Sequence, residues 1–235
     1  MGKLYIVGTP IGNLEDITLR ALRTLQEVNI IACEDTRVTS KLLQRYEIPN
    51  KKLLTYNNFT EKHSAQGIIN LISNGEDVAL VSDAGMPVVS DPGFEVIAEA
   101  RKNNINIEII PGVNAAITAF VASNFTNDFT FHGFIKDKTQ QRINQLKELN
   151  IGTHIYYVSP HKLISTLEDI NSVFNGQEKI CLAKELTKLH ENLFYGSASE
   201  ILQHFANLDS IKGEFTMVLN LPKIKREKVN KYKKD

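Results

Sequence analysis

Little in this chain suggests cross-linking, membrane insertion or a highly charged molecule. It has only two cysteines, Cys33 and Cys181. Each lies in an apolar, strand-like run, which predicts two core thiols and argues against a disulfide scaffold. Lysine plus arginine equals aspartate plus glutamate, at 27 each, so the whole molecule is no polyelectrolyte. No apolar run is long enough to span a bilayer, and no signal peptide is visible. We therefore expect a cytoplasmic protein that is not bound to a membrane.

Several common catalytic motifs are also absent. The sequence shows no metal-ligand spacing, so we predict no metal site, and it shows no obvious nucleophile. The dinucleotide fingerprint and the Walker loop are both missing. With 235 residues, of which 42% are hydrophobic, the chain can form one large domain or two small ones.

The charge is unevenly distributed along the chain. Residues 223–235 contain seven lysines or arginines and only two acidic residues, so the preceding part must be mildly acidic. This basic tail can bind RNA phosphates, or it can be a solvated terminus without a partner.

Apolar runs alternate with helical patterns through the first half. This alternation predicts an α/β fold with a mostly parallel five-stranded sheet and helices on both faces. The predicted strands are Leu4–Val7, Asn29–Cys33, Leu53–Tyr56, Val78–Val81 and Ile107–Ile110. The predicted helices cover about Leu19–Val28, Ser40–Tyr46, Ala65–Ile72, a segment after Asp91 and Asn114–Ser123.

The second half predicts a second α/β domain with a mixed sheet. We place the domains at residues 1–124 and 125–222, followed by the basic tail at 223–235. The predicted strands are Thr130–Phe134, His154–Val158, Lys179–Ala183, Glu191–Tyr195 and Phe215–Leu221. The predicted helices lie near Gln140–Leu149, Lys162–Ile170 and Ala198–Phe205.

The most informative loop is Ser82–Phe94, which directly follows the buried strand Val78–Val81. Asp91 and Pro92 match the pattern of a helix N-cap followed by proline at the first helical position. Open α/β sheets bind ligands at the carboxyl ends of their strands. We therefore expect this loop to shape a ligand site.

Three other loops follow predicted strands, and each permits two interpretations. Gly8–Gly12 is either a tight turn or a close approach of backbone to a ligand. Glu34–Arg37 contains either an ion pair within the loop or a cluster that contacts substrate. Pro111–Ala116 has small side chains that suit either a flat ligand or packing of a helix on the sheet.

Two segments of the second half carry polar side chains at the ends of predicted strands. Ser159–Lys162 repeats the cap-then-proline start of a helix, and its histidine, His161, is more typical of a structural or exposed residue than of a catalytic one. Ala183–Lys188 is either the surface end of a strand or the edge of a site.

Taken together, the motifs resemble those of bacterial 16S ribosomal RNA 2′-O-ribose methyltransferases that act on a cytidine of the decoding region. That family belongs to the class III, tetrapyrrole-methylase-like group of S-adenosylmethionine enzymes. The resemblance covers about residues 3–221. The stretches that carry it are 4–18, 32–37, 82–87, 90–94, 115–118, 159–161, 182–188 and 212–214.

The resemblance implies two α/β domains with the methyl donor in the cleft between them, a homodimer, and 16S rRNA of the small ribosomal subunit as substrate. It also implies a set of residues that line or shape the pocket for S-adenosylmethionine. These are Gly8, Pro10, Asp83, Gly85, Pro87, Ala115, Ala116 and Thr118.

A ribose hydroxyl is a poor nucleophile, so a general base would assist its methylation. The candidates are Glu34, Asp35, Lys184 and Glu185, and Arg37 is assigned to contact with RNA phosphate. Two alternatives remain: a related enzyme that methylates a small tetrapyrrole-like molecule, and a ribosome-binding factor without catalysis.

Several positions depart from the family pattern. The segment Tyr56–Glu61 lacks the histidine expected before asparagine and glutamate. The remaining departures stand in or beside the predicted loops: Met86, Val113, Asn114, Lys136 and Val158.

Overall fold

The computed structural model describes residues 1–57, 61–206, 208 and 210–223, with 61–63 as backbone only. Contacts divide the chain into two compact units. The first comprises Met1–Thr118 and Glu185–Glu191, and the second comprises Ala119–Lys184 and the residues from Asn192 onward. The domain limits suggested by the sequence remain a prediction, and most of the basic tail (224–235) lies outside the described residues.

The first unit is built on a five-stranded, fully parallel sheet with the order β3-β2-β4-β1-β5. The strands are β1 (Lys3–Val7), β2 (Ile30–Cys33), β3 (Lys52–Thr55), β4 (Val78–Val81) and β5 (Asn106–Ile110). The helices are α1 (Leu19–Glu27), α2 (Thr36–Arg45), α3 (Glu61–Ser73) and α4 (Phe94–Lys102), with a short 3-10 helix at Leu14–Asp16. Helix α5 (Ala115–Ser123) begins in the first unit and ends in the second. The predicted number and direction of the strands are confirmed.

The period of two along the strands separates two apolar layers on the faces of this sheet. Leu4 and Ile6 of β1 belong to the layer that contains α3 and α4, whereas Val7 belongs to the layer that contains α1 and α2. All four residues of β2 and of β4 are buried, as expected for parallel strands covered on both faces.

Three helices begin elsewhere than predicted, and one of them, α3, begins at Glu61 rather than near Ala65. The N-cap of α4 is Gly93, not Asp91, and it makes no side-chain capping bond. The prediction for Asp91 and Pro92 was therefore wrong, because the loop continues past the proline before the helix starts. Helix α2 begins at Thr36, before the predicted Ser40, because the side chain of Asp35 accepts a hydrogen bond from the Arg37 amide and caps it.

The second unit has a mixed sheet with the order β6-β7-β10-β8-β9. Only β6 and β7 pair in parallel, and the other neighbours are antiparallel, so the predicted mixed sheet is confirmed. The strands are β6 (Thr130–Phe134), β7 (Gly152–Val158), β8 (Lys179–Lys184), β9 (Asn192–Gly196) and β10 (Phe215–Leu221). The helices are α6 (Thr139–Lys147), α7 (Leu163–Phe174) and α8 (Ala198–Phe205), with a 3-10 helix at Pro160–Lys162.

A fully buried arginine stabilises the start of α6 in the second unit. Arg142 donates to Asp169 from Nε at 2.8 Å and from Nη2 at 2.6 Å. Its Nη1 donates to the carbonyl oxygens of Lys136 and Asp137, both at 3.0 Å. A buried cation is tolerated when it is paired and its donors are satisfied, as they are here.

Cys33 and Cys181 are both buried and free, which confirms the prediction of core thiols. No helix within the described ranges combines the length and the apolar character needed to cross a bilayer.

Candidate functional site

Three loops of the first unit meet at the carboxyl ends of the adjacent strands β4, β1 and β5. Thr9, after β1, and Gly85, after β4, exchange backbone hydrogen bonds of 2.9 and 3.1 Å. The Thr9 hydroxyl also donates to the carbonyl oxygen of Ser82 at 3.1 Å. The first two loops are thus fixed to one another by main-chain contacts, independent of the identity of most side chains.

The third loop joins them through two glycines. A Cβ atom built on Gly8 would lie 2.7 Å from Cα and N of Gly112 and 2.6 Å from Sδ of Met86. The loop after β1 therefore needs glycine at position 8 to contact the loop after β5. The segment Gly8–Gly12 was expected to be either a tight turn or a close approach of backbone to a ligand. In the structure, the backbone of Gly8 closely approaches that of Gly112, in another loop of the same unit.

Asn114 fixes the start of α5. Its side-chain oxygen accepts hydrogen bonds from the amides of Ala116 and Ile117 at 3.0 and 3.2 Å. The hydroxyl of Thr118 donates to the carbonyl oxygen of Asn114 at 2.9 Å. This departure from the family pattern thus has a local purpose, since asparagine is a strong N-cap. It orients Ala115, which is half-buried, and Ala116, which is buried.

The loop after β4 has an unusual backbone. Val88 and Ser90 adopt φ angles of 75° and 68°, a region that a β-branched residue such as valine rarely enters. The side chain of Val88 lies against Gly93, where an added Cβ would approach its Cγ2 to 2.8 Å. Strained backbone of this kind concentrates at functional sites. Pro87 is buried within the same loop, as Pro10 is in the loop after β1.

A polar cavity of about 390 Å³ lies beside these loops, at the carboxyl ends of β2, β3 and β4. The amide of Asp35 donates to Oδ1 of Asp83 at 3.0 Å, which joins the loop after β2 to the loop after β4. The cavity is lined by Glu34, Asp35, Thr36, Arg37, Thr55, Asn57 and Asp83.

Asp35 and Arg37 form the ion pair that was one of the two interpretations of this loop. Arg37 donates to the Asp35 carboxylate from Nε at 3.0 Å and from Nη2 at 2.6 Å. Hydrogen bonds from Arg37 lower the pKa of Asp35 to about 2. Asp35 thus stays ionised and serves as a cap and as a support for Arg37.

The other carboxyl groups at this edge have the opposite tendency. Burial, and then the charges of Asp83 and Asp35, raise the pKa of Glu34. Burial also raises the pKa of Asp83. The pKa of Asp91 is raised to about 6 by burial and by the charge of Glu34, although a hydrogen bond with Ser82 opposes the change. A carboxyl group with an elevated pKa is suited to accept a proton near neutral pH.

The remaining two candidates for a general base, Lys184 and Glu185, are adjacent in sequence, where the chain passes from the second unit to the first. Lys184 ends β8 of the second unit, whereas Glu185 begins the segment 185–191, which belongs to the first unit. Glu185 has a φ of 52° and pairs with Lys188 at 3.0 Å. In that segment, the hydroxyl of Thr187 accepts a hydrogen bond from the Asn13 amide at 3.1 Å.

Sequence reasoning did not identify Asp91, Thr55 or Asn57 as site residues. Asp91 was interpreted as a helix cap, although it stands in one of the stretches that carry the family resemblance. Thr55 and Asn57 follow a strand whose neighbours can be known only from the sheet order. His161, in contrast, is exposed on the 3-10 helix after β7, as its interpretation as a non-catalytic residue suggested.

The remaining departures from the family pattern also have defined positions. Met86 contacts the Gly8 region, as described above, and the carbonyl oxygen of Val113 lies 3.6 Å from a Cβ built on Gly85. Val158 is buried at the end of β7, and Lys136 is exposed after β6. Part of the departing segment Tyr56–Glu61 (58–60) lies outside the described residues.

Comparison with known proteins gives consistent matches over most of the chain. The family model described as Tetrapyrrole (Corrin/Porphyrin) Methylases matches residues 3–202. A protein of Mycoplasmopsis pulmonis is 54% identical over 219 residues, 93% of this chain and 97% of the relative. A protein of Thermotoga maritima is 44% identical over 222 residues, which cover 94% of this chain and 99% of the relative. Both are named ribosomal RNA small subunit methyltransferase I.

Solved structures with the same fold are more distant in sequence. A uroporphyrin-III-C-methyltransferase from Thermus thermophilus has a TM-score of 0.66 at 21% identity and covers 94% of both chains. A diphthine synthase has a TM-score of 0.70 at 14% identity and covers 94% of this chain and 90% of its own. These similarities define the fold and leave the acceptor of the methyl group open.

Proposed function

Because the chain belongs to the tetrapyrrole methylase family, we propose that it transfers a methyl group from S-adenosylmethionine to the 2′-oxygen of a cytidine in the decoding region of 16S rRNA. The observation that carries the proposal is the identity of 54% over 93% of the chain with a relative named ribosomal RNA small subunit methyltransferase I. The proposal places the protein in the cytoplasm, where ribosomal subunits are found, and the family resemblance favours a homodimer.

The loops at the carboxyl ends of β1, β4 and β5 suit the methyl donor. Ala115, at the start of α5, is small and half-buried, and Asp83 offers a carboxylate acceptor to amine or hydroxyl groups. We assign donor binding to Gly8, Pro10, Asp83, Gly85, Pro87, Ala115, Ala116 and Thr118.

The donor supplies an electrophilic methyl group on a sulfonium sulfur. The 2′-oxygen forms a bond to the methyl carbon, the carbon–sulfur bond breaks with its electron pair remaining on sulfur, and the hydroxyl proton must pass to a base. The protein contributes orientation, for which about 7–11 kcal/mol is available, and proton transfer, for which about 3–5 kcal/mol is typical.

Within the four predicted catalytic residues, the geometry favours Glu34 as the base. Its carboxyl group is half-buried, lines the cavity and has a raised pKa. Asp35 is held by Arg37 and remains ionised down to about pH 2, so it is a weak base. Lys184 and Glu185 remain proposed candidates for the same role.

The experiment is transfer of labelled methyl from S-adenosylmethionine to purified small ribosomal subunits that lack the modification, followed by ribose-specific analysis of the RNA. Label on a cytidine 2′-oxygen is the expected result. Label on a base or on another nucleotide would reject the proposed position. Donor binding without transfer to subunits would favour a small-molecule acceptor, and subunit binding without donor binding would favour a non-catalytic factor.

A further inference from the structure

Helix α2 carries three cations along one exposed face. Arg37, Lys41 and Arg45 are spaced four residues apart, which places them on the same side of an α-helix. All three are exposed, and the side chain of Arg37 is 86% accessible. The opposite face, with Thr39, Leu42 and Leu43, is buried. We call Arg37, Lys41 and Arg45 the α2 cationic stripe.

Helix stability does not explain the stripe. The sequence of α2, TRVTSKLLQR, has no acidic residue, and like charges four residues apart destabilise a helix. Arg37 also stands in the first turn, where a cation opposes the helix dipole, and only Arg45 occupies the favourable last turn. Asp35 neutralises Arg37, but no acidic residue within the helix offsets the repulsion between Lys41 and Arg45, which an external anion would relieve.

The charges are available to an external partner. Arg37 pairs with Asp35, but its Nη1 donates to no residue in the described part of the chain. Neither Lys41 nor Arg45 forms an ion pair with a described residue, whereas Lys3, Lys102, Arg142 and Lys188 all do. Arg45 instead lies over the ring of Tyr46, with its Cζ 5.5 Å from the ring centre. This cation–π contact orients the guanidinium without neutralising its positive charge.

The position of the stripe connects it to the candidate site. Helix α2 starts directly after Asp35, at the polar cavity lined by Glu34 and Asp83. With a rise of about 1.5 Å per residue, the stripe extends roughly 12 Å from Arg37 to Arg45. It thus forms a row of cations that begins at the cavity and leads away from it.

We propose that the α2 cationic stripe binds the phosphate backbone of the RNA strand that carries the target nucleotide. The inference rests on the proposed function, since it assigns a surface to the same RNA substrate. A row of regularly spaced cations suits a polyanion with regularly spaced charges better than a compact anion, and it fixes position without reading sequence.

The test compares two charge-matched double variants. Lys41→Gln with Arg45→Gln removes the part of the stripe that is remote from Asp35. Arg23→Gln with Arg101→Gln removes two exposed cations on α1 and α4 and changes the net charge equally. Binding to unmodified small ribosomal subunits is measured over a range of salt concentrations, and donor binding is measured without RNA.

The stripe variant is expected to bind subunits about tenfold more weakly at moderate salt. The slope of log K against log salt should decrease by about 1.4–1.8, because each lost phosphate contact removes about 0.7–0.9. The control variant should match the parent protein, and both variants should bind the donor normally. Equal binding and equal slopes for the stripe and control variants would overturn the inference while leaving the proposed function intact. A parent protein that neither binds nor methylates subunits would overturn both.

Discussion

The backbone of Gly8 packs directly against the backbone of Gly112, and a Cβ atom at position 8 would lie 2.7 Å from Cα and N of Gly112. Main-chain atoms cannot move aside by changing rotamer. The contact therefore requires glycine at position 8, and it fixes the distance between the loops that follow β1 and β5.

We expect Gly8→Ala to separate these loops. The overpacking should lower the free energy of unfolding by about 1–3 kcal/mol, and donor affinity should fall about tenfold, which corresponds to about 1.4 kcal/mol. Urea unfolding and donor titration would measure the two effects. Gly67→Ala is the control, because its Cβ would meet nothing within 4 Å in α3. It should increase stability by about 0.5–1 kcal/mol. A normal donor affinity in Gly8→Ala would contradict this assignment.

The raised pKa of Asp91 predicts that the stability of the protein depends on pH. Its ordinary pKa is 3.8, and its pKa in the folded protein is about 6. Between these values the unfolded chain has lost a proton that the folded protein retains, so stability falls as pH rises through this window. Above pH 6 the full penalty remains. The difference between pKa values of 3.8 and about 6 corresponds to about 3 kcal/mol in the free energy of unfolding. Because Asp91 is partly exposed to solvent, we expect a smaller effect of about 1–2 kcal/mol.

Asp91→Asn should therefore stabilise the protein by about 1–2 kcal/mol well above pH 6 and have little effect below pH 3.8. Urea unfolding at several pH values would measure the difference. A change in stability that is the same at all pH values would show that the carboxyl group does not titrate in this way.

Glu34 and Asp35 are adjacent in sequence and should respond differently to neutral replacements. Glu34→Gln should reduce the single-turnover rate of methyl transfer by about 10²–10⁴-fold, because it removes the proposed base. In the parent protein the rate should fall as pH decreases through the raised pKa of Glu34. Asp35→Asn should affect the rate less, and it should leave the helix cap in place, because asparagine is also a strong N-cap. A near-native rate for Glu34→Gln would remove this residue from the role of base.

The buried pair of Arg142 and Asp169 should dominate the local stability of the second unit. Arg142→Leu leaves the carboxylate of Asp169 without its partner, so we expect a loss of about 3–5 kcal/mol in urea unfolding. Replacing both residues by leucine should restore part of this loss. Lys102→Met, which breaks an exposed pair with Glu99, should leave the midpoint of urea unfolding nearly unchanged. A similar small effect for Arg142→Leu would show that the buried pair contributes little.

The architecture of the first unit could be predicted because its strands are short apolar runs that end at glycine, proline or charged residues. Val78–Val81 matched its predicted limits because Asp77 precedes the apolar run and Ser82 and Asp83 follow it. The second sheet could be predicted as mixed, but not its strand order, since pairing of distant strands depends on contacts that a single sequence does not contain.

Errors in the site arose where one local pattern has several structural outcomes. Asp91-Pro92 looks like a helix start, but Gly93, with a φ of 143°, extends the loop and leaves Asp91 near Glu34. The cap at Asp35 was missed because its side chain was considered only as an ion-pair partner or a general base. The spacing of the motifs was enough to identify the loops of the site. The contacts between those loops can be known only from the three-dimensional structure.

Residues 185–191 belong to the first unit although they follow much of the second unit in sequence, and this order affects folding during protein synthesis. The hydrogen bond between Asn13 and Thr187 joins residues 174 positions apart. At about 5–20 residues per second, the ribosome needs roughly 9–35 s to make the intervening chain. The first unit therefore emerges early but cannot complete its set of contacts until Ala119–Lys184 of the second unit has been translated. A fragment that ends at Thr118 would lack this segment permanently.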